Sequence, residues 1–122
     1  MVVFIFILIC VSASAAGGSG GFIEPHYCDP QQNHYVFGKA YIYDDSAGTN
    51  TYETRAYLEW KKDGILIGTK FAKDTSFPFQ ANAVTETCTH PAFGHSYIMN
   101  YNTIAEVAGP GPDWGASGVK YW

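Results

Sequence analysis

Basic residues are few and scattered: 7 Lys and Arg stand against 11 Asp and Glu, a formal net charge of −4. They gather into no positive stripe, which argues against nucleic acid and anionic membranes as partners. Helical periodicity is missing as well, so no segment predicts an amphipathic helix. The signatures of several enzyme classes are absent too. Ser46, Ser76, Ser96 and Ser117 lie in no Gly-x-Ser-x-Gly setting, and no phosphate-binding loop occurs. Ser96 follows His95 directly, which on a strand points the two to opposite faces. Glu53 and Glu59 share a strand face but are exposed and well separated, a poor glycosidase pair. No catalytic residue is expected.

One long apolar run is present, from Val2 to Val11, and it gives way to Ser12-Ala13-Ser14-Ala15-Ala16. Its length is about ten residues where a membrane-spanning helix needs about twenty, so it reads as a secretory core followed by a small-residue cleavage site. No Lys or Arg precedes it. Residues 1–16 are thus expected to be an export signal, with the mature chain starting between Ala16 and Gly18 and carrying no membrane span. Gly17-Gly18-Ser19-Gly20-Gly21 is expected to be a flexible linker. Residues 22–122 are expected to form one domain in an extracellular, secreted protein.

Of 3 cysteines, Cys10 lies in the leader. The bulky Ile9 before it speaks against lipid attachment. Cys28 and Cys88 remain as an even pair in an oxidising compartment, so one disulfide is expected. His26-Tyr27-Cys28 and Cys88-Thr89-His90 are mirror images, and residues two apart on a strand share a face. A disulfide would then draw His26 and His90 together. A metal site on these histidines is the alternative, but zinc needs both sulfurs as thiolates, which export disfavours. No cofactor is expected.

The downstream periodicity is two, and the chain is rich in Tyr, Phe and Thr, so strands are predicted. In the clearest, Tyr52 to Lys61, the residues Tyr52, Thr54, Ala56, Leu58 and Trp60 face the core. Lys62-Asp63-Gly64 turns the chain, and Ile65, Ile67, Thr69 and Phe71 are expected to continue the buried face. Tyr35 to Tyr43 is a further strand. Ala83 to His90 and His95 to Val107 are expected to form a second hairpin about Pro91-Ala92-Phe93-Gly94, and Val119 to Trp122 a short last strand. The fold class predicted is all-β, a small antiparallel two-sheet sandwich.

The export signal, the Tyr-rich strand running into Trp60, the Lys62-Asp63-Gly64 hairpin and Cys88 followed by Gly94-His95-Ser96-Tyr97 together resemble small secreted bacterial proteins with an immunoglobulin-like sandwich. The resemblance spans Tyr52 to Tyr101, and most of that group has no assigned function. It implies an immunoglobulin-like fold for this chain. True immunoglobulin domains place their core Trp soon after the first Cys, whereas Trp60 follows Cys28 at a much greater distance, which puts Cys28 ahead of the second strand.

One loop, one strand and the C-terminal pair carry candidate binding groups. Asp44, Asp45, Ser46, Thr49 and Asn50 offer hard oxygens, but without the alternating spacing of a calcium loop they read as a polar turn. Tyr35, Phe37, Tyr41 and Tyr43 share one strand face opposite Val36, Gly38, Ala40 and Ile42. That row is either an exposed surface for a sugar or protein, or the packed face of a central strand. The terminal pair Tyr121 and Trp122 carries the same ambiguity. The function expected is a secreted extracellular binding or structural domain, non-catalytic, whose partner is a protein or glycan. A small secreted toxin or bacteriocin-like effector is the alternative.

Overall fold

The alternation of apolar and polar residues resolves into seven strands in the computed structural model, which describes residues 17–29 and 34–122. They are β1 (Gly17–Tyr27), β2 (His34–Asp44), β3 (Thr51–Lys62), β4 (Ile65–Asp74), β5 (Phe79–Val84), β6 (Tyr97–Val107) and β7 (Trp114–Tyr121). The expected export signal lies outside the described residues. Two antiparallel sheets form, a three-stranded one in the order β1-β2-β5 and a four-stranded one in the order β4-β3-β6-β7. The protein is all-β, and no helix among the described residues is long and apolar enough to cross a membrane. Lettered A to G, the sheets are A-B-E and D-C-F-G. A constant-type immunoglobulin domain keeps its fourth strand beside the fifth, whereas here the fourth lies beside the third.

The inner faces meet as a sandwich. Val36, Ala40 and Ile42 of β2 and Ala81 and Ala83 of β5 pack against Ala56, Leu58 and Trp60 of β3 and Tyr97, Met99 and Ala105 of β6. The many alanines bring the sheets close, and the large rings need relief. Gly38 supplies it, since a Cβ there would stand 2.7 Å from the Met99 sulfur and 2.9 Å from the Trp60 ring. The buried Tyr97 hydroxyl donates to the Pro91 carbonyl at 2.7 Å. A tyrosine near the start of the sixth strand also bonds upstream backbone in immunoglobulin domains, but there it stands two residues before a cysteine, which Tyr97 does not.

Gly17–Gly21 is no linker. It is the first half of β1, paired in register from Gly17 opposite Asp44 to Gly21 opposite Ala40. Glycine weakens a strand through backbone entropy and lack of packing. Here aromatic rings from both sides replace the missing side chains. A Cβ on Gly18 or Gly20 would strike Tyr43 or Tyr41 on the outer side, and one on Gly21 would strike Tyr101 on the inner side at 2.7 Å.

The hairpin of β3 and β4 turns at Asp63 and Gly64, with φ of 51° and 82°, the left-handed pair of a type I′ turn. The expected burial of β4 does not follow. Trp60 pairs with Gly68 while Lys61 pairs with Leu66, so Ile67 is an extra residue. That bulge reverses the facing of every residue beyond it. Gly68, Lys70 and Ala72 turn inward, while Ile67, Thr69 and Phe71 turn to solvent, and Ile65 sits exposed at the hairpin tip. A second irregularity, between Thr51 and Glu53, buries Thr51 and expels Tyr52, which the alternation had placed in the core.

The second expected hairpin is absent as well. The strand predicted over 83–90 is instead β5, ending at Val84, and β5 and β6 belong to different sheets. Their connection crosses the sandwich. The last strand starts earlier than expected, at Trp114, and Trp122 closes against the Tyr97 backbone and donates its indole N–H to Ala92 at 3.3 Å.

Candidate functional site

Because β2 lies between β1 and β5, its alternation sends Val36, Gly38, Ala40 and Ile42 into the core and Tyr35, Phe37, Tyr41 and Tyr43 outward. The outward row is a partly exposed surface: Tyr43 keeps 38% of its area open and Tyr35, Phe37 and Tyr41 are half-buried. Cross-strand neighbours share that face. Gly18, Gly20 and Phe22 of β1 flank Tyr43, Tyr41 and Lys39 on one side. Gln80, Asn82 and Val84 of β5 flank the same three on the other.

The two tyrosine rings lie down over the glycines. An ideal Cβ on Gly18 would stand 2.8 to 2.9 Å from the Tyr43 hydroxyl and ring, and one on Gly20 would stand 3.0 Å from the Tyr41 hydroxyl. The rings sit 6.5 Å apart with planes only 18° from parallel. At one end of this floor Phe22 rises, tilted 49° from Tyr41 and edge-on to Phe37 at 6.0 Å. Beyond the other end is a shallow recess of about 200 Å³ lined by Tyr43, Asp45, Pro78, Phe79 and Gln80. Lys39 and Glu24 carry opposite charges on the face, so no one sign dominates it.

Cys28 and Cys88 form the expected disulfide, with Cα atoms 5.7 Å apart. Of the histidines, His26 alone joins the two sulfurs, all three ligand atoms lying within 4.8 Å of one another. Its ring meets Phe37 edge-on at 5.8 Å, at the far end of the aromatic row. His90 turns away. It packs against Trp60 at 5.6 Å and pairs with Glu86 at 3.2 Å. The two histidines are not drawn together, because β5 ends at Val84 and the chain from there to His90 is no strand and does not keep a strand's two-residue facing. With the sulfurs bonded to each other, the four-ligand set expected for zinc is not assembled.

The other polar clusters hold turns. Asp44 accepts from the Ser46 N–H at 3.0 Å, the Thr49 hydroxyl at 2.6 Å and the Thr51 hydroxyl at 2.7 Å. Burial pushes its carboxyl up, but these hydrogen bonds outweigh it and leave the pKa below the ordinary value. Asp63 accepts from the Ser96 N–H at 2.9 Å and pairs with His95 Nδ1 at 2.7 Å, tying the β3–β4 turn to the start of β6. Those bonds, the Ser96 N–H first, hold the Asp63 carboxyl low. Glu53 pairs with Arg55 and Lys73, and Glu59 accepts from Tyr57. A second exposed apolar area lies on the outer face of the four-stranded sheet, where Tyr57 pairs with Phe71.

Gly18, Gly20, Gln80 and Asn82 escaped the sequence reading. A signal existed for the glycines, whose i, i+2 spacing matches that of Tyr41 and Tyr43, but a run of five Gly and Ser residues reads first as a linker. No protein-family model, curated protein or solved structure matches the chain.

Proposed function

We propose that this protein is a secreted, non-catalytic domain that binds an extracellular protein or glycan through the outer face of the three-stranded sheet. The observation that carries the reading is the row Tyr35, Phe37, Tyr41 and Tyr43, which points away from the core on a central strand instead of into it. Residues of that type concentrate binding energy when a partner covers them. Export is supported by the apolar leader with its small-residue cleavage site and by the Cys28–Cys88 disulfide, which persists in oxidising compartments. A non-catalytic role is supported by the engagement of Asp44, Asp63 and Glu53 in turns and ion pairs. Likeness to the small immunoglobulin-like secreted proteins belongs to the same proposal, and the Tyr97 to Pro91 bond favours it.

A screen against immobilised glycans and cell-surface proteins, run with Tyr41→Ser and Tyr57→Ser, tests the reading. Binding is expected to fall for Tyr41→Ser, with its melting temperature close to that of the parent, and to persist for Tyr57→Ser. A Tyr41→Ser protein that unfolds would place the row in a structural role and overturn the proposal.

A further inference from the structure

The floor of the site has a shape that selects among ligands. Protein hot spots are anchors that fill pockets in a partner, and peptides that add to a sheet need a free strand edge. The face itself offers neither: the backbone of β2 is paired on both sides, so the unpaired edges of the sheet lie on β1 and β5, away from Tyr41 and Tyr43, and those two rings lie flat instead of projecting. A flat pair of ring faces suits a ligand that is itself a succession of flat, C–H-lined faces rimmed with hydroxyls. Sugar rings have that form.

The polar surroundings agree. Gln80 and Asn82 stand opposite Tyr43 and Tyr41, and a side-chain amide both donates and accepts, as a vicinal pair of hydroxyls requires. Asp45 in the recess adds an acceptor at one end. Lys39 and Glu24 offset each other, so a polyanion gains no field to steer it. The platform is also bounded, by Phe22 at one end and by the recess beyond Tyr43 at the other.

We infer that this face binds an uncharged oligosaccharide chain, laying two sugar rings on Tyr41 and Tyr43 and hydrogen-bonding their hydroxyls through Asn82 and Gln80. The inference rests on the binding role proposed above and names its ligand class. Gly18 and Gly20 are positioning residues in it. They touch no sugar, but a side chain on either would lift a ring off the floor.

The test is affinity electrophoresis of the full mature chain in gels containing hydroxyethyl cellulose, galactomannan, soluble xylan or, as the anionic contrast, polygalacturonate. Retardation by at least one neutral polymer is expected, undiminished by added salt. Tyr43→Ala and Gln80→Ala should each weaken it, Tyr43→Ala on the order of tenfold. Gly18→Ala should weaken it while leaving the melting temperature nearly unchanged, an effect that a purely structural glycine would not show. Tyr57→Ala, on the opposite sheet, should leave retardation intact. Failure of every neutral polymer to retard the protein overturns the glycan assignment, as does retardation that folded Tyr43→Ala and Gln80→Ala proteins retain. Salt-sensitive retardation by polygalacturonate alone, lost in Tyr43→Ala, would overturn the neutral-glycan assignment and leave the binding face standing. Loss of neutral-polymer binding in Tyr57→Ala only would overturn the face itself.

Discussion

Trp60 and Tyr97 stack at 5.1 Å with their planes 18° apart, and both are closed to solvent. The stack joins β3 to β6, and the Tyr97 hydroxyl extends it to the loop before β6 through Pro91. Removing the indole would leave a cavity bounded by Tyr97, His90 and the Gly38 backbone, which a sheet framework closes poorly. Trp60→Ala should cost about 3 to 5 kcal/mol, and Glu59→Ala, on the outer face of the same strand, within about 0.5 kcal/mol. Urea denaturation midpoints of the two variants measure the difference, and similar midpoints would refute the assignment of faces.

The Cys28–Cys88 disulfide closes a loop of 60 positions, which the chain-entropy model values at about 4 kcal/mol. Denatured, unreduced protein lacking residues 1–16 should therefore show no free thiol, and reduction should lower the melting temperature markedly. Two free thiols with stoichiometric zinc in purified protein would contradict the bond.

Acid should destabilise the fold in a defined window. Asp44 and Asp63 have carboxyls held low, and the hydrogen bond from Lys70, ahead of the other hydrogen bonds, takes Glu86 to about 2. A group whose folded pKa is depressed contributes stability above its unfolded pKa and loses it as pH falls through the folded value. Melting temperature should thus hold from pH 7 to 5 and fall below about pH 4, the ordinary carboxylate range. Asp44→Asn keeps the shape but cannot hold all three donors, so it should cost about 1 to 3 kcal/mol at pH 7 and flatten part of the acid limb. An unchanged limb in that variant would remove Asp44 from the account.

Gly21→Val separates a strand from a linker directly. A tether tolerates it, whereas in β1 the new side chain meets the Tyr101 ring on the packed inner face. The expected cost is about 1 to 3 kcal/mol by thermal or denaturant unfolding. A neutral result would return this stretch to linker status.

Local chemistry made some of this legible. Lys62-Asp63-Gly64 announced its hairpin because only certain residues accept left-handed φ, and the Thr54 to Trp60 alternation marked its own buried face. The single disulfide followed from parity. What stayed hidden depended on register. One extra residue at Ile67 reversed β4, and the cue beside it, Gly68, is one that a strand glycine gives equally for a bulge, a bend or a close backbone approach. Turn residues about Pro91 and Gly94 show that the chain bends but not whether the strands on either side pair or cross between sheets. For the site, the aromatic row was visible as a pattern with two apolar faces. Its outward facing depended on the opposing sheet, where Trp60 and Met99 demand the space that Gly38 leaves.

The bare strand at the start of the domain also sets an order of events. β1 pairs with its immediate successor, yet Gly17 and Gly21 are covered by Trp114 and Tyr101, which are synthesised long afterwards. A nascent hairpin of β1 and β2 would hold a glycine ribbon lacking its inner cover, with too little buried area to persist alone. The earliest segment is therefore secured by the latest, so the chain stays loosely organised until β6 and β7 arrive. Contacts so distant in sequence are slow to form. The strand that opens the domain thus cannot consolidate before most of the chain has been made.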